Sequence, residues 1–316
     1  MVSWPGFGAS LPPGVRLSPT EAMYQAGLAW KVRKEKVFLD GGRLVEDNFA
    51  IVRQDTGVAL GIVGNNYEVY QNAEMFGFMD RFCRAAGTGI ETCGSLRQGR
   101  TVWGLSRSRE TEYVKGDPVE KYFLVRNSHD GSSTLDVLFT DVRVVCVNTL
   151  SAAIEGCRNR VAVLHTANMR ANIEAIGKVL AQYASRHQQA LASAMELLAK
   201  TSLSSREMRE MALALTRPKA RPKARPGQGQ VGEDERDSKA AGQILRLVET
   251  GRGTDIPGVR GTAYGWLNAV TEYADHYKVV RATGKDKMEA RFEASLSGSG
   301  AKLKQEAFDM CLQRAA

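Results

Sequence analysis

The sequence predicts an α+β fold, an antiparallel β-meander with packed helices forming a β-β-β-α-like core, then a long helix and a C-terminal helical segment. Two observations carry this reading. Between Gly89 and Leu150, the segments Ile90–Leu96, Thr101–Arg107, Tyr122–Asn127 and Leu135–Val147 are rich in β-branched and aromatic residues. They are divided by Gln98-Gly99, Gly116-Asp117-Pro118 and Asp130-Gly131, residue types that reverse a chain. From Asn168 to Leu198 the period changes, with Ile173, Ile176, Leu180, Tyr183, Leu191, Met195 and Leu198 recurring at helical spacing.

The other elements follow in chain order. Ser18 can cap a short helix over 19–28, with Pro19 at its first position and Glu21 closing a capping box. Strands over 29–38 and 49–54 flank the turn signal Asp40-Gly41-Gly42, which predicts a hairpin, and a short apolar strand covers 59–63. Gln71-Asn72-Ala73-Glu74 opens a helix whose Met75, Phe76, Met79 and Phe82 fall on one face and belong to the core. Asn148 has the chemistry to end the last strand and cap a helix over 149–156. Helices are also expected over 204–215, 263–279 and 301–312. Residues 217–242 hold a tandem Lys-Ala-Arg-Pro repeat, then Gly and Gln, then an acidic cluster, with almost nothing apolar to bury. The chain therefore divides into an N-terminal arm (1–16), an α+β core with long helices at its end (17–216), a flexible linker (217–242) and a C-terminal helical segment (243–316).

Composition narrows the function. Hydrophobic content of 43% over 316 residues excludes disorder of the whole chain. No apolar run is long enough to span a membrane, and the N-terminus lacks the pattern of a secretory signal, so a cytoplasmic location without membrane association is expected. Five scattered cysteines, Cys83, Cys93, Cys146, Cys157 and Cys311, suit neither a disulfide framework nor a zinc site. Neither a phosphate-binding G-x-x-x-x-G-K-[ST] loop nor a dinucleotide fingerprint occurs, and the four histidines are scattered. The consecutive Asn127-Ser128-His129-Asp130-Gly131 is read as a hairpin turn, because neighbouring side chains on a strand diverge rather than converge as a triad. No catalytic residue, metal or cofactor is expected.

A formal net charge of +8 favours polyanionic partners. Arg97 and Arg100 flank the Gln98-Gly99 turn, while Trp103, Leu105 and Arg107 share one face of the next strand. An open face of that kind lets a base stack on the indole while guanidinium groups meet phosphates; a closed one makes Trp103 and Leu105 core. Lys31, Arg33, Lys34 and Lys36 form a second basic run, and Arg126, Arg143, Arg158 and Arg160 a dispersed third.

The motifs Asp55-Thr56-Gly57, Leu60-Gly61-Ile62-Val63-Gly64, Tyr70-Gln71-Asn72, Glu91-Thr92-Cys93-Gly94-Ser95-Leu96, Asn127-Ser128-His129-Asp130-Gly131 and Arg143 to Leu150 resemble the phage- and plasmid-borne family known as domain of unknown function 932. The resemblance covers roughly 30–200 and a further stretch at 261–273, and it carries no agreed activity. Residues 64–78, GNNYEVYQNAEMFGF, are more distantly similar to the entry helix of Rad-52-like and Red-beta-type single-strand annealing proteins, with Ala73 as an extra residue. That similarity implies ATP-independent binding and annealing of single-stranded DNA by a homo-oligomeric ring or filament in a bacterial host, with a phage or plasmid exonuclease or single-strand-binding protein as a further partner. The contact residues so expected are Arg97, Arg100, Arg107, Lys121, Arg126 and Arg143 for phosphates, and Trp103 and Tyr67 for stacking. The alternative is a protein-interaction factor of a mobile element, a host-defence inhibitor or assembly component, using the aromatic helix around Trp266 and the long helix after Asn168 as interfaces.

Overall fold

A computed structural model describes residues 9–10, 17–85, 87–143, 148–150, 160–217, 233–282, 287–296 and 298–316. Its architecture is α+β, with two antiparallel sheets and helices on both faces of the larger one.

The larger sheet comprises β1 (Ala9–Ser10), β5 (Ile90–Leu96), β6 (Thr101–Val114), β7 (Asp117–Ser128), β8 (Leu135–Arg143), β9 (Asn148–Leu150) and β10 (Arg160–Val163). Its order is β1-β5-β6-β7-β8-β10, with β9 also paired to β8. The meander is therefore as the turn residues predicted, but β6 and β7 run further. Their turn sits at Lys115-Gly116, both in left-handed backbone, and Asp117 already pairs with Val114. Alternation along β6 and β7 sends Val102, Phe123 and Val125 to one face and Trp103, Leu105, Tyr122 and Leu124 to the other.

The first face is covered by α2 (Asn72–Ala85) and the first half of α3 (Met169–Lys200). Met75, Phe76 and Met79 are fully buried there, as their helical spacing predicted, and each contributes about 1.5–3 kcal/mol by leaving water. The second half of α3 leaves the sheet. Its Leu191, Met195 and Leu198 join α4 (Ser205–Thr216), α5 (Glu233–Thr250), α6 (Ala263–Glu272) and α8 (Ser299–Ala315) in a helical core that also takes in Val114 and Val119 from the β6–β7 end.

The smaller sheet has the order β2-β3-β4, from β2 (Val32–Phe38), β3 (Leu44–Arg53) and β4 (Ala59–Gly64). It packs through Val32, Ile51, Leu60 and Val63 against Trp30, Tyr67 and Val69. Contact with the larger sheet is close: a Cβ on Gly61 would lie 2.7 Å from the Cα of Asp130, so only glycine fits there.

The expected capping box forms at Ser18/Glu21 before α1 (Pro19–Gln25), and a second one, not anticipated from sequence, forms at Ser204/Glu207 before α4. Several expectations are corrected. Asn148 does not cap a helix; residues 148–150 form strand β9, because register with β8 pairs Asn148 with Arg143. The remainder of that expected helix lies outside the described residues. The chain is already helical from Glu233, inside the stretch expected as a linker, and the same helix later buries Ile244 and Leu247 in the helical core. Helix α6 is an interior element, not an interface. Trp266 is fully buried and its Nε1 donates to the Met208 carbonyl at 3.1 Å. After α6 the chain makes one π-helical turn, Tyr273–Tyr277, and α7 (Lys287–Leu296) then lies across the second face of the large sheet.

Candidate nucleic-acid interface

The β5–β6 turn has the longest run of left-handed backbone among the described residues. Arg97, Gln98 and Gly99 are consecutive residues in left-handed conformation, with φ of 51°, 61° and 101°. Such backbone costs a non-glycine residue about 1–2 kcal/mol. It is retained because the turn is clamped from both sides. Behind it, Gly99 rests on Trp30, whose ring lies 3.0 Å from where a Cβ would be, and Arg53 donates to the Gln98 carbonyl at 3.4 Å. The Arg53 guanidinium also stacks over Trp30, 4.3 Å from the ring centroid. In front, Glu289 of α7 accepts from the Arg97 amide at 3.0 Å. The clamped turn presents Gln98 and Arg100 to solvent, while Arg53 behind it is paired with Asp55 at 2.6 Å.

The adjoining sheet face is closed. Trp103 is 1% exposed and packs with Leu105, Tyr122 and Leu124 beneath Phe292. It offers no ring to a base, which corrects its expected stacking role. The cations on this sheet are matched by carboxylates. Arg107 pairs with Glu91 at 3.1 Å and Glu120 at 2.7 Å, Lys121 with Glu112 at 2.6 Å, and Arg126 with the buried Asp136 at 2.7 Å. Arg97 is held more loosely, by Glu293 at 3.3 Å and Asp130 at 3.4 Å. Arg97, Trp103 and Arg126 do converge, with Thr101, Phe292 and Glu293, on one narrow cleft of about 40 Å³ under α7. The Trp103 indole nitrogen is buried and has no hydrogen-bond partner among the described residues.

Tyr67 is also engaged. Its hydroxyl donates to the Ser128 carbonyl at 2.6 Å and its ring stacks on His165 at 4.6 Å, so burial and the nearby Asp130 charge raise its pKa. The Arg143 side chain lies outside the described residues. Of the expected contact residues, Arg100 alone is both described and exposed.

The 127–131 segment is the structural turn expected. His129 Nε2 is 2.8 Å from Asn72 Oδ1, locking the turn to the start of α2, and burial, reinforced by His165, pushes its pKa down to about 3. Burial works against the charge of Asp130, but the hydroxyls and amide it accepts from Ser128 and Ser132, together with Arg97, hold its pKa below the ordinary carboxylate value. Cys83, Cys93 and Cys311 are buried thiols. Among the described residues, no group of three or more His, Cys, Asp or Glu side chains is placed to hold a metal, and no helix is long and apolar enough to cross a membrane.

The protein-family model for a domain of unknown function, DUF932, matches residues 59–296. The chain belongs to the DUF932 family. The matched span starts later than the sequence motifs suggested and runs further, so it takes in the β5–β6 turn, α6 and α7, while the β2–β3 hairpin precedes it. No curated protein and no solved structure matches this DUF932 chain.

Two features escaped sequence reasoning. Arg53 lies far from the β5–β6 turn in sequence and meets it only through the pairing of β3 with β2. A groove of about 590 Å³ separates α2 from α3, with Phe78 and Ile173 on its walls and Arg81, Arg170 and Lys178 at its rim. Its cations are largely neutralised, Arg170 by Glu68 and Glu74 and Lys178 by Glu174, which lies 3.7 Å away. No local motif signals it, because its two walls come from helices separated by the whole meander.

Proposed function

We propose that this DUF932 protein binds single-stranded DNA without nucleotide hydrolysis and promotes annealing as a homo-oligomer of a phage or plasmid, with the β5–β6 turn as its phosphate contact. The observation that carries the reading is the run of three left-handed residues, clamped by Trp30, Arg53 and Glu289, beside which Arg100 stands exposed. A tight hairpin needs no such strain, since a two-residue turn closes one at little cost. Backbone strain clamped from both sides is a feature of sites that present groups to a ligand. Phosphate contact requires a cation, an exposed position and a rigid support, and Arg100 on this clamped turn combines them.

The test is fluorescence anisotropy of labelled oligo(dT) across a salt series, with a strand-annealing assay in the absence of nucleotide and metal. Binding that weakens steeply with salt, and a slope that falls by about 0.7 in Arg100→Gln, is the expected result. Absence of binding at low salt eliminates the reading. The groove between α2 and α3 favours a second one, a protein-interaction factor of a mobile element. Under it, oligonucleotide binding is absent and substitutions at Phe78 disrupt a protein complex.

A further inference from the structure

The groove between α2 and α3 is held open by two glycines that the chain's own packing does not require. Gly77 sits in the interior of α2 and Gly177 in the interior of α3, where glycine is the poorest helix former after proline. A Cβ on Gly77 would meet nothing within 4 Å, and one on Gly177 would touch Phe78 at an ordinary 3.7 Å, so alanine fits at both positions. Both glycines line the groove, and larger side chains there would fill it. Its volume of about 590 Å³ falls in the range of small-molecule pockets, and Phe78, Phe82, Ile173 and Leu180 give it an apolar floor.

Charge is distributed unevenly along this groove. Glu74 of α2 pairs with Arg170 of α3, and Phe78 lies beside Gly177, so the two helices run side by side in the same sense. The end at Glu74 is internally satisfied: Arg170 engages both Glu74 and Glu68, and Glu74 also accepts from the Gln71 amide at 2.8 Å. The other end carries Arg81, about one turn beyond Phe78, and Lys178, next to Gly177. Lys178 meets Glu174 only at 3.7 Å with both side chains largely exposed, a pairing that contributes little. Arg81 is exposed and forms no ion pair or hydrogen bond among the described residues. The adjacent Asp80 is engaged by Arg84, outside the groove. An apolar trough that ends on an unmatched guanidinium suits a ligand with an apolar body and one negative charge.

We propose that this groove binds a small amphiphilic carboxylate, its hydrocarbon body lying between the two glycines and its carboxylate on Arg81 with Lys178 beside it. The apolar floor favours a buried hydrocarbon, and a guanidinium recognises a carboxylate through paired N–H groups. The proposal is independent of the single-strand reading, and it gives the groove a small ligand in place of the protein partner of the second reading. Isothermal titration calorimetry of the full chain with decanoate, and with decyltrimethylammonium as the cation of equal chain length, compares wild type with Gly77→Leu, Arg81→Gln and Arg84→Gln. One-to-one binding of decanoate, about tenfold tighter than that of the cation, is expected. Arg81→Gln should weaken decanoate about tenfold and Arg84→Gln should leave it unchanged. Gly77→Leu should abolish binding yet unfold at the wild-type temperature or higher, because the new side chain enters open space and leucine is the better helix former. Equal affinity for the two ions overturns the choice of an anion. Decanoate binding that survives both Gly77→Leu and Arg81→Gln lies elsewhere on the chain and overturns the site. Should Gly77→Leu fail to fold, Arg81→Gln alone decides, since its side chain is exposed. Absence of decanoate binding to wild type overturns the proposal outright.

Discussion

Phe292 of α7 lies over Trp103 of β6, with ring centroids 5.0 Å apart and planes inclined at 39°. This contact closes the second face of the large sheet and makes Trp103 and Leu105 core, one of the two alternatives that the strand's alternation allowed. Phe292→Ala is expected to lower unfolding stability by about 3 kcal/mol, the usual cost of removing a buried ring. Urea denaturation measures it; a change within about 0.5 kcal/mol would mean that α7 does not hold the face closed.

The acidic residues of the same helix occupy Arg97. Glu289 takes its amide and Glu293 lies 3.3 Å from its Nε. On the single-strand reading these carboxylates compete with phosphate, so Glu289→Gln/Glu293→Gln should bind oligo(dT) more tightly and with a salt slope steeper by about 0.7. Unchanged affinity would remove Arg97 from the interface.

The strained turn makes opposite predictions for two neighbouring residues. Gln98 is exposed at φ 61°, so Gln98→Gly should raise stability by up to about 1 kcal/mol through relief of the left-handed backbone. Gly99→Ala should lower it, because its Cβ would press on Trp30 at 3.0 Å in addition to the strain at φ 101°. Thermal unfolding of the two variants distinguishes them, and a matching sign for both would show that the turn is not strained as described.

Two buried groups tilt the pH dependence in opposite directions. Burial lowers the His129 pKa from 6.5 to about 3, so its contribution is complete above 6.5 and is lost as pH falls toward 3, because the unfolded imidazole takes up a proton first. Burial raises the Asp141 pKa from 3.8 to about 7, so its contribution is complete in acid and is lost as pH rises from 3.8 toward 7. Between pH 4 and 6.5 the two slopes oppose each other. Asp141→Asn is expected to unmask the histidine term, with stability falling by about 1.4 kcal/mol per pH unit on acidification in that window. Urea midpoints from pH 4.5 to 6.5 test this, and a variant as flat as wild type would contradict it.

Lys304 is 1% exposed and pairs with Asp275 at 2.8 Å inside the helical core. Asp275→Ala removes a carboxylate paired with a buried ammonium and should cost about 3–5 kcal/mol, whereas Lys304→Met/Asp275→Leu should recover much of that loss. Equal destabilisation of the single and double variants would show that packing, not charge, dominates the site.

The amino-acid sequence by itself determined the local elements. The β-branched segments of the meander, the helical period of α2 and α3, the capping box at Ser18 and the turn at Asp130-Gly131 all act over a few residues, so propensity, spacing and turn chemistry suffice to read them. Helix α7 and strand β9 were not legible, because short segments of mixed polarity take their conformation from what they pack or pair with. Tertiary structure decided which face was open. Trp103, Arg107 and Arg126 share the composition of a nucleic-acid surface, yet Phe292, Glu91, Glu120 and Asp136 reach them from other elements and bury or neutralise them. Accessibility and charge pairing are properties of the assembled neighbours, and the strand's own alternation specifies a face without specifying what will cover it.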